Sequence, residues 1–341
     1  MSTIKIGKEL GDVAETTLRF FRQIGVEAVG MPTTWNTTPG TRPHHPSPGA
    51  GDTARSVGPQ PEAWNETELR RIQAQIALWI AIGSGQSAAF RKYLDGAQRR
   101  ADLAIVNANI ALAGKIGLQT LTYNFTALRA AEGYGARADG GRGGARLRDF
   151  DNRRIADLPP LPAVGEHSLA AMWERIDYFL RAVVPVAEAA EVRLAVHPND
   201  PPVPVYRGVA QPLSDLAGLK QLVALVNSPA NGIFFDTGVT TEMGEDAVAV
   251  IHHFGKQGRI GAVHFRNVQV TTPRYHYLET FQDEGDCDMA AAMAALHAVG
   301  YQGLIEPDHT PAIDGDTTDT RIGWAFAIGQ MVALRTATAC R

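Results

Sequence analysis

Val192-Arg-Leu-Ala-Val-His197 is a short apolar run that ends in an imidazole. A helical pattern from Leu213 to Val226 follows it, then Gly232-Ile-Phe-Phe-Asp236, then a helical pattern from Asp246 to Phe254. Ile260-Gly-Ala-Val-His264 comes next, a helix from Met289 to Val299, and Gly303-Leu-Ile-Glu-Pro-Asp308. Strand-like runs alternating with amphipathic helical patterns at this spacing build βαβ units, and therefore a parallel sheet.

The rhythm extends outward in both directions. Ile4 to Gly7 reads as a strand, Val13 to Gln23 as a helix stopped by Gly25, and Glu27 to Met31 as a strand. A helix ends near Gly114, Leu118 to Asn124 is a strand, Leu169 to Ala190 is a long helix, and a helix from about Ile322 to Arg335 closes the pattern. A third strand is expected near Leu78 to Ile82, in Ala77-Leu-Trp-Ile-Ala-Ile-Gly83, although that run also reads as a continuation of the helix beginning near Glu66. The expected architecture is α/β, a (β/α)8 TIM barrel forming a single domain over residues 1–341. The competing doubly wound sheet calls for a glycine-rich turn after the first strand, and Lys5-Ile-Gly-Lys-Glu-Leu-Gly11 lacks the GxGxxG spacing.

Two segments break the rhythm. Residues 33–61 are rich in Pro, Gly, Thr and His, and residues 133–162 are rich in Gly and Arg around Gly140-Gly-Arg-Gly-Gly144. Both follow strands, so both are expected as long loops or lids over the C-terminal face. Arg129, Arg142 and Arg146 lie on or just before the second. They are placed either to close over an anionic substrate or to form a solvated basic loop.

Composition narrows the function classes. Of 341 residues, 45% are hydrophobic, enough for a large core, and a net charge of −4 is not the basic excess of a nucleic-acid binder. The two cysteines, Cys287 and Cys340, form no CxxC pair and cannot staple a fold of this size. Met1 to Asp12 carries charges throughout and lacks an apolar signal region. No apolar run reaches the roughly 18 residues of a membrane span. The expectation is a cytoplasmic enzyme acting on a small molecule, with no nucleic-acid or membrane partner and with homo-oligomerisation open.

Barrel active sites lie at the C-terminal ends of the strands. Four successive strands here end in potential metal ligands: His197, Asp236, His264 and Asp308. Taken alone, a strand-end His is commonly a hydrogen-bonded surface residue, and an Asp there commonly caps the next helix. Four such residues in equivalent places point to a shared cation, because burying two carboxylates together without one is costly. Two imidazoles and two carboxylates suit Mn²⁺, Fe²⁺, Co²⁺ or Zn²⁺.

Thr122-Tyr-Asn-Phe125, Ala195-Val-His-Pro-Asn-Asp-Pro-Pro202, His264-Phe-Arg-Asn-Val268, the Glu279 to Met289 stretch and Pro307-Asp-His309 resemble the mannonate dehydratases. Those are metal-dependent barrel enzymes that take water from a sugar acid to give a 2-keto-3-deoxy acid. The resemblance places His197, Asp236, His264 and Asp308 on the family's metal ligands, with Asp236 where the family has a Cys. Exchanging thiolate for carboxylate keeps the charge and loses softness, which shifts preference toward Mn²⁺ or Mg²⁺ and away from Zn²⁺. The resemblance also places His309 on an acid/base residue, and Arg266 and Asn267 on residues that bind substrate or order the site. It departs at a last-loop Tyr, where the nearest aromatic is Trp324; at a His pair, replaced by Thr33, Thr34 and Trp35; and at a His, replaced by Gln282.

Dehydration needs a proton taken beside a carboxylate and a hydroxyl expelled. His309 is expected in one of these proton transfers and Tyr123 in another, unless Tyr123 is a structural hydroxyl. Arg266 is the expected carboxylate clamp, or else a partner of a ligand carboxylate. Asn267, Asn124 and Arg129 complete the expected substrate contacts, and Glu306 shares a strand side with Asp308. The cofactor expected is one divalent metal, Mn²⁺ first, with Mg²⁺, Fe²⁺ or Co²⁺ as alternatives. Isomerisation or epimerisation of a sugar, or elimination from a keto-sugar, uses similar parts. A catalytically inactive sugar-acid-binding paralogue is the remaining alternative.

Overall fold

Parallel pairing between Lys5 and Leu304 and between Ile6 and Ile305 joins the two ends of the chain and closes the sheet. The structure is a computed structural model describing residues 4–10, 12–32, 63–78, 81–86, 96–125, 132–162 and 164–339; for 31–32, 81–86 and 96–98 only the backbone is described. Eight parallel strands form the closed barrel: β1 (Lys5–Glu9), β2 (Ala28–Pro32), β3 (Ala81–Gln86), β4 (Thr120–Asn124), β5 (Arg193–His197), β6 (Asn231–Asp236), β7 (Ile260–His264) and β8 (Leu304–Glu306). This is the expected (β/α)8 barrel.

The third strand begins later than expected. The Glu66–Ala77 helix, capped by the Asn65 side chain at Glu68 N, buries Leu69, Ile72 and Ile76 and runs to Leu78. Leu78 lies off that face and is 78% exposed, so the helix ends there and β3 starts at Ala81. The ambiguous run therefore contains a helix end and a strand start. At the other end of the barrel β8 is only Leu304–Glu306, so Asp308 stands in the loop beyond it.

Part of residues 133–162 is regular structure rather than loop. Tyr134–Arg137 and Leu147–Asp151 join Asn267–Thr272 and His276–Thr280 in a four-stranded antiparallel sheet. Phe150 is buried on this sheet and packs on Tyr134 and Tyr277 of the neighbouring strands, with ring centroids 5.1 and 5.3 Å away. Because Asn267 follows β7 almost directly, the sheet stands at the C-terminal end of the barrel. Residues 33–61 lie outside the described residues. No helix among the described residues is long and apolar enough to cross a membrane.

Most of the core lies between barrel and helices, where Leu194, Val196, Ile233, Phe235 and Val263 turn outward. Ala195, Phe234 and Ala262 form a separate cluster. Successive strand residues alternate in side, so His197, Asp236 and His264 share a face with these three, one step nearer the mouth. Two alanines flank one phenylalanine there, and the Phe234 ring centroid lies 4.1 Å from that of His264 and 5.3 Å from that of His197.

Candidate metal centre and proton-transfer site

His197 Nε2, Asp236 Oδ2 and His264 Nδ1 converge at the mouth. The two ring nitrogens are 3.2 Å apart, and Asp236 Oδ2 is 3.4 Å from His197 Nε2 and 3.3 Å from His264 Nδ1. Donors each about 2.1 Å from one ion stand roughly 3.0–3.4 Å apart at octahedral to tetrahedral angles. His197 Nδ1 is 2.8 Å from the Pro198 carbonyl oxygen, which only accepts, so Nδ1 carries the proton and Nε2 presents its lone pair to the centre. Glu306 Oε1 lies 3.8 Å from His264 Nε2, beyond hydrogen-bond reach but close enough for its charge to act on the ring. Burial opposes a charged His264, but the carboxylates of Asp308, Asp236 and Glu306 outweigh it and push the ring up to about 9. The cluster therefore favours a positive charge at its centre.

Asp236 serves two purposes with its two oxygens. Oδ1 accepts from Val239 N at 2.7 Å and caps the short Thr237–Glu242 helix, while Oδ2 faces the ligand atoms and Arg266. Burial alone would raise its pKa, but Arg266, His197 and His264 hold the carboxyl well below the usual range. Asp308 Oδ2 lies 3.7 Å from His264 Nδ1 and 3.0 Å from His309 Nε2. Three of the four expected ligands thus form one group. Asp308 stands at its edge and also groups with Asp200 and His309.

Arg266 is not the substrate clamp that its fork suggested. It is 1% exposed, and its nitrogens are already engaged by carboxylates. Nε lies 3.0 Å from Asp236 and 3.3 Å from Asp308, Nη1 2.8 Å from Glu242, and Nη2 3.1 Å from Asp200. A Cβ on Gly238 would come within 2.9 Å of Arg266 Nε and Cζ, so the glycine leaves the guanidinium its place. Asn267 is likewise committed. Its Nδ2 donates to the Gln282 and Cys287 carbonyls, and its Oδ1 accepts from Val268 N and Cys287 N. It orders the chain around Gln282 to Cys287 and has no free valence for substrate.

Tyr123 is also corrected. It stands in register with outward-facing Val196 and packs on Phe179 of the Leu169–Ala189 helix, with ring centroids 5.6 Å apart. Its hydroxyl belongs to the core and not to the mouth. Asn124, one residue on, is in register with His197 and exposed, so it reaches the mouth. Arg129 lies outside the described residues, as do Thr33, Thr34 and Trp35. Arg142 stacks on Phe281 and pairs with Asp283, and Gln282 donates to the Phe265 carbonyl.

His309 sits between opposite demands. Arg148 Nη1, which can only donate, is 3.1 Å from Nε2, and Asp308 Oδ2, an acceptor, is 3.0 Å from the same atom. On the other side of the ring Nδ1 faces Glu279 Oε2 at 3.6 Å. Either protonation state finds a partner, as a group that both gives and takes a proton requires.

Two neighbours, Glu242 and Arg148, carried no sequence signal. Glu242 is fully buried on the short helix after β6, and Arg148 and Glu279 pair at 2.7 Å on the antiparallel sheet. Asp200 lay within a motif already singled out, and Tyr134 and Tyr277 hydroxyls hold one of its oxygens. Glu306 is pushed up to about 7 by burial, with Glu9 and Asp308 adding and His264 and Lys8 opposing.

Residues 163–337 match the family model described as D-mannonate dehydratase (UxuA). A mannonate dehydratase of Enterococcus faecalis is 38% identical over 177 residues, covering 50% of this chain and 48% of that protein. The chain spans about half the length of the curated relatives it matches. The crystal structure of mannonate dehydratase from Streptococcus suis serotype 2 superposes with a TM-score of 0.79 at 22% identity, covering 99% of this chain and 94% of that one. An L-ribulose 3-epimerase superposes with a TM-score of 0.55 at 17% identity, covering 99% and 96%. The two structural likenesses are likenesses of fold. The sequence match takes in β5 to β8 with every metal-ligand candidate and His309, and the chain belongs to the D-mannonate dehydratase (UxuA) family.

Proposed function

We propose that the chain is a metal-dependent hydro-lyase that removes water from a sugar acid such as D-mannonate, giving a 2-keto-3-deoxy acid. The convergence of His197 Nε2, Asp236 Oδ2 and His264 Nδ1 within 3.4 Å of one another, beside Asp308 and His309, carries this reading. These side chains, with Asp308, are the proposed ligands. Mn²⁺ is the first choice and Mg²⁺, Fe²⁺ or Co²⁺ the alternatives, because the donors are two imidazoles and hard carboxylates. A divalent ion held there supplies Lewis-acid stabilisation of the charge that develops as the α-proton leaves.

The chain's own groups do the rest. The proton beside the carboxylate goes to a base, the β-hydroxyl leaves with a proton from an acid, and the enol left behind becomes the 2-keto acid. His309 exchanges one of these protons at Nε2, and Asp308 and Arg148 accept or fill that position as its charge changes. Arg266 holds the carboxylates of Asp200, Asp236, Glu242 and Asp308 together and so fixes the face on which substrate lies. The test is metal analysis of the purified protein, followed by a panel of sugar acids assayed for 2-keto products. Formation of a 2-keto-3-deoxy acid that stops on chelation supports the reading. Interconversion of sugars without loss of water would favour an epimerase instead.

A further inference from the structure

A sugar acid brings a carboxylate to the mouth, and that charge calls for a cation the substrate can reach. Arg266 cannot serve, because its side chain is 2% exposed and carboxylates hold its nitrogens. Arg148, on the Leu147–Asp151 strand of the antiparallel sheet, differs on both counts. Its side chain is 27% exposed. Its polar contacts among the described residues run through Nη1 alone, to Glu279 Oε1 at 2.7 Å and to His309 Nε2 at 3.1 Å. Nε and Nη2 make no hydrogen bond among the described residues, and neither is enclosed. A guanidinium has five N–H donors in a planar fork, so three of them remain open.

The open side of this fork is held in a fixed orientation. Arg148 Cζ lies over the Tyr134 ring, 3.6 Å from its centroid. Tyr134 is fixed in turn: its hydroxyl donates to Asp200 and stands 2.9 Å from the Tyr277 hydroxyl, and its ring packs on Phe150. Arg148 also stands in register with Glu279 on the paired strand, so strand pairing and ion pair set its position together. A stacked and paired arginine loses little freedom on taking a second carboxylate. Its place beside His309 Nε2 matters chemically. In a 2-hydroxy acid the hydrogen to be removed sits on the carbon bonded to the carboxylate, so a carboxylate held on this guanidinium brings that carbon toward the proton-transfer atom.

We propose that Arg148 receives the substrate's carboxylate through Nε and Nη2 while Nη1 stays on Glu279, so that the antiparallel sheet selects acids over neutral analogues and sets the α-carbon beside His309. The inference rests on the sugar-acid reading above. On this assignment the sheet is part of the binding site rather than a cover over the barrel.

The experiment is calorimetric titration of the Mn²⁺-loaded full chain with the 3-deoxy analogue of D-mannonate, which has no β-hydroxyl to lose, and with the neutral primary amide of that acid. Wild-type protein should prefer the acid. Arg148→Met, made together with Glu279→Gln so that no buried carboxylate is left unpaired, should weaken the acid by about 10- to 100-fold, the usual worth of a hydrogen-bonded charge. The amide and bound metal should be unchanged. Arg148→Lys keeps the charge and loses the fork, so it should weaken the acid by a smaller factor. Unchanged acid binding in both variants with full metal overturns the assignment alone, and a fall in turnover without it would make Arg148 a positioning residue for His309. Equal loss of acid and amide would make its role structural and overturns the assignment as well. A wild-type protein that binds the acid no better than the amide overturns the sugar-acid reading and this assignment with it.

Discussion

Asp236 Oδ2 lies 3.0 Å from Arg266 Nε, while Oδ1 of the same carboxylate accepts from Val239 N at 2.7 Å. One side chain thus faces the cation site with one oxygen and starts a helix with the other. The two roles can be separated by substitution.

Asp236→Asn keeps an oxygen to cap Val239 N and removes the charge. The fold should survive, with a helix cap of similar quality. Bound metal should fall well below stoichiometric, because a neutral amide is a weak ligand between two imidazoles. Elemental analysis and circular dichroism on one preparation check both halves. Full metal in this variant would remove Asp236 from the ligand set.

Asp236→Cys makes the complementary change. A thiolate retains the charge and adds softness, so competition titration should show Zn²⁺ gaining on Mn²⁺. The sulfur is a poor cap, and stability should fall by about 1 kcal/mol. An unchanged ratio of affinities would count against softness as the reason for metal choice.

Arg266→Met leaves Asp200, Asp236, Glu242 and Asp308 without their shared counter-ion. Burial already pushes Glu242 well above the usual carboxyl range, and Arg266 is the group that pulls it back. Breaking a buried pair by removing one partner costs about 3–5 kcal/mol. Urea unfolding at neutral pH should show a loss of that order, partly recovered by adding Glu242→Gln. A surface-like change well under 1 kcal/mol would mean that water reaches this cluster.

The ends of β5, β6 and β7 were legible because two rules coincide there. Alternation puts His197, Asp236 and His264 on the inner face, and the barrel puts that face at the active-site mouth. The same parity, counted across β4, would have turned Tyr123 outward, since Asn124 and not Tyr123 is in register with His197. For Arg266 the sequence left two roles open, substrate clamp or partner of a ligand carboxylate, and the choice was not legible because its partners come from the loop after β5, the short helix after β6 and the loop after β8.

The barrel seam supplies a pH prediction. Glu27 Oε2 accepts from Ile6 N at 3.0 Å and pairs with Arg335, which also donates to the Ile4 carbonyl at 2.8 Å. Burial would raise the Glu27 pKa, but the Arg335 hydrogen bond and charge and the Ile6 amide lower it below its ordinary 4.5. A depressed folded value gives stability that is present above about pH 4.5 and lost as pH falls through the folded value. Wild type should therefore be more stable than Glu27→Gln at pH 7, and the difference should shrink on acidification below pH 4.5. A difference independent of pH would assign the effect to packing.

The last prediction concerns His309 as the proton-transfer residue. Its Nε2 stands 3.0 Å from Asp308 and 3.1 Å from Arg148, with Glu279 at 3.6 Å from Nδ1. His309→Asn keeps a polar side chain that can still meet Arg148 or Asp308 but cannot exchange protons near neutral pH. Turnover should fall by roughly two to four orders of magnitude, the usual worth of a positioned acid or base. Bound metal should stay near stoichiometric, since His309 is outside the His197–Asp236–His264 group. Binding of an unreactive sugar-acid analogue should change far less than turnover. If His309 instead served as a ligand or a structural strut, metal content or melting temperature would fall together with activity. Measuring metal, melting temperature and turnover on one preparation separates these outcomes. Full turnover with full metal would take His309 out of the mechanism. Glu306, buried beside His264 with one oxygen unpartnered, would then be the next carboxyl to test.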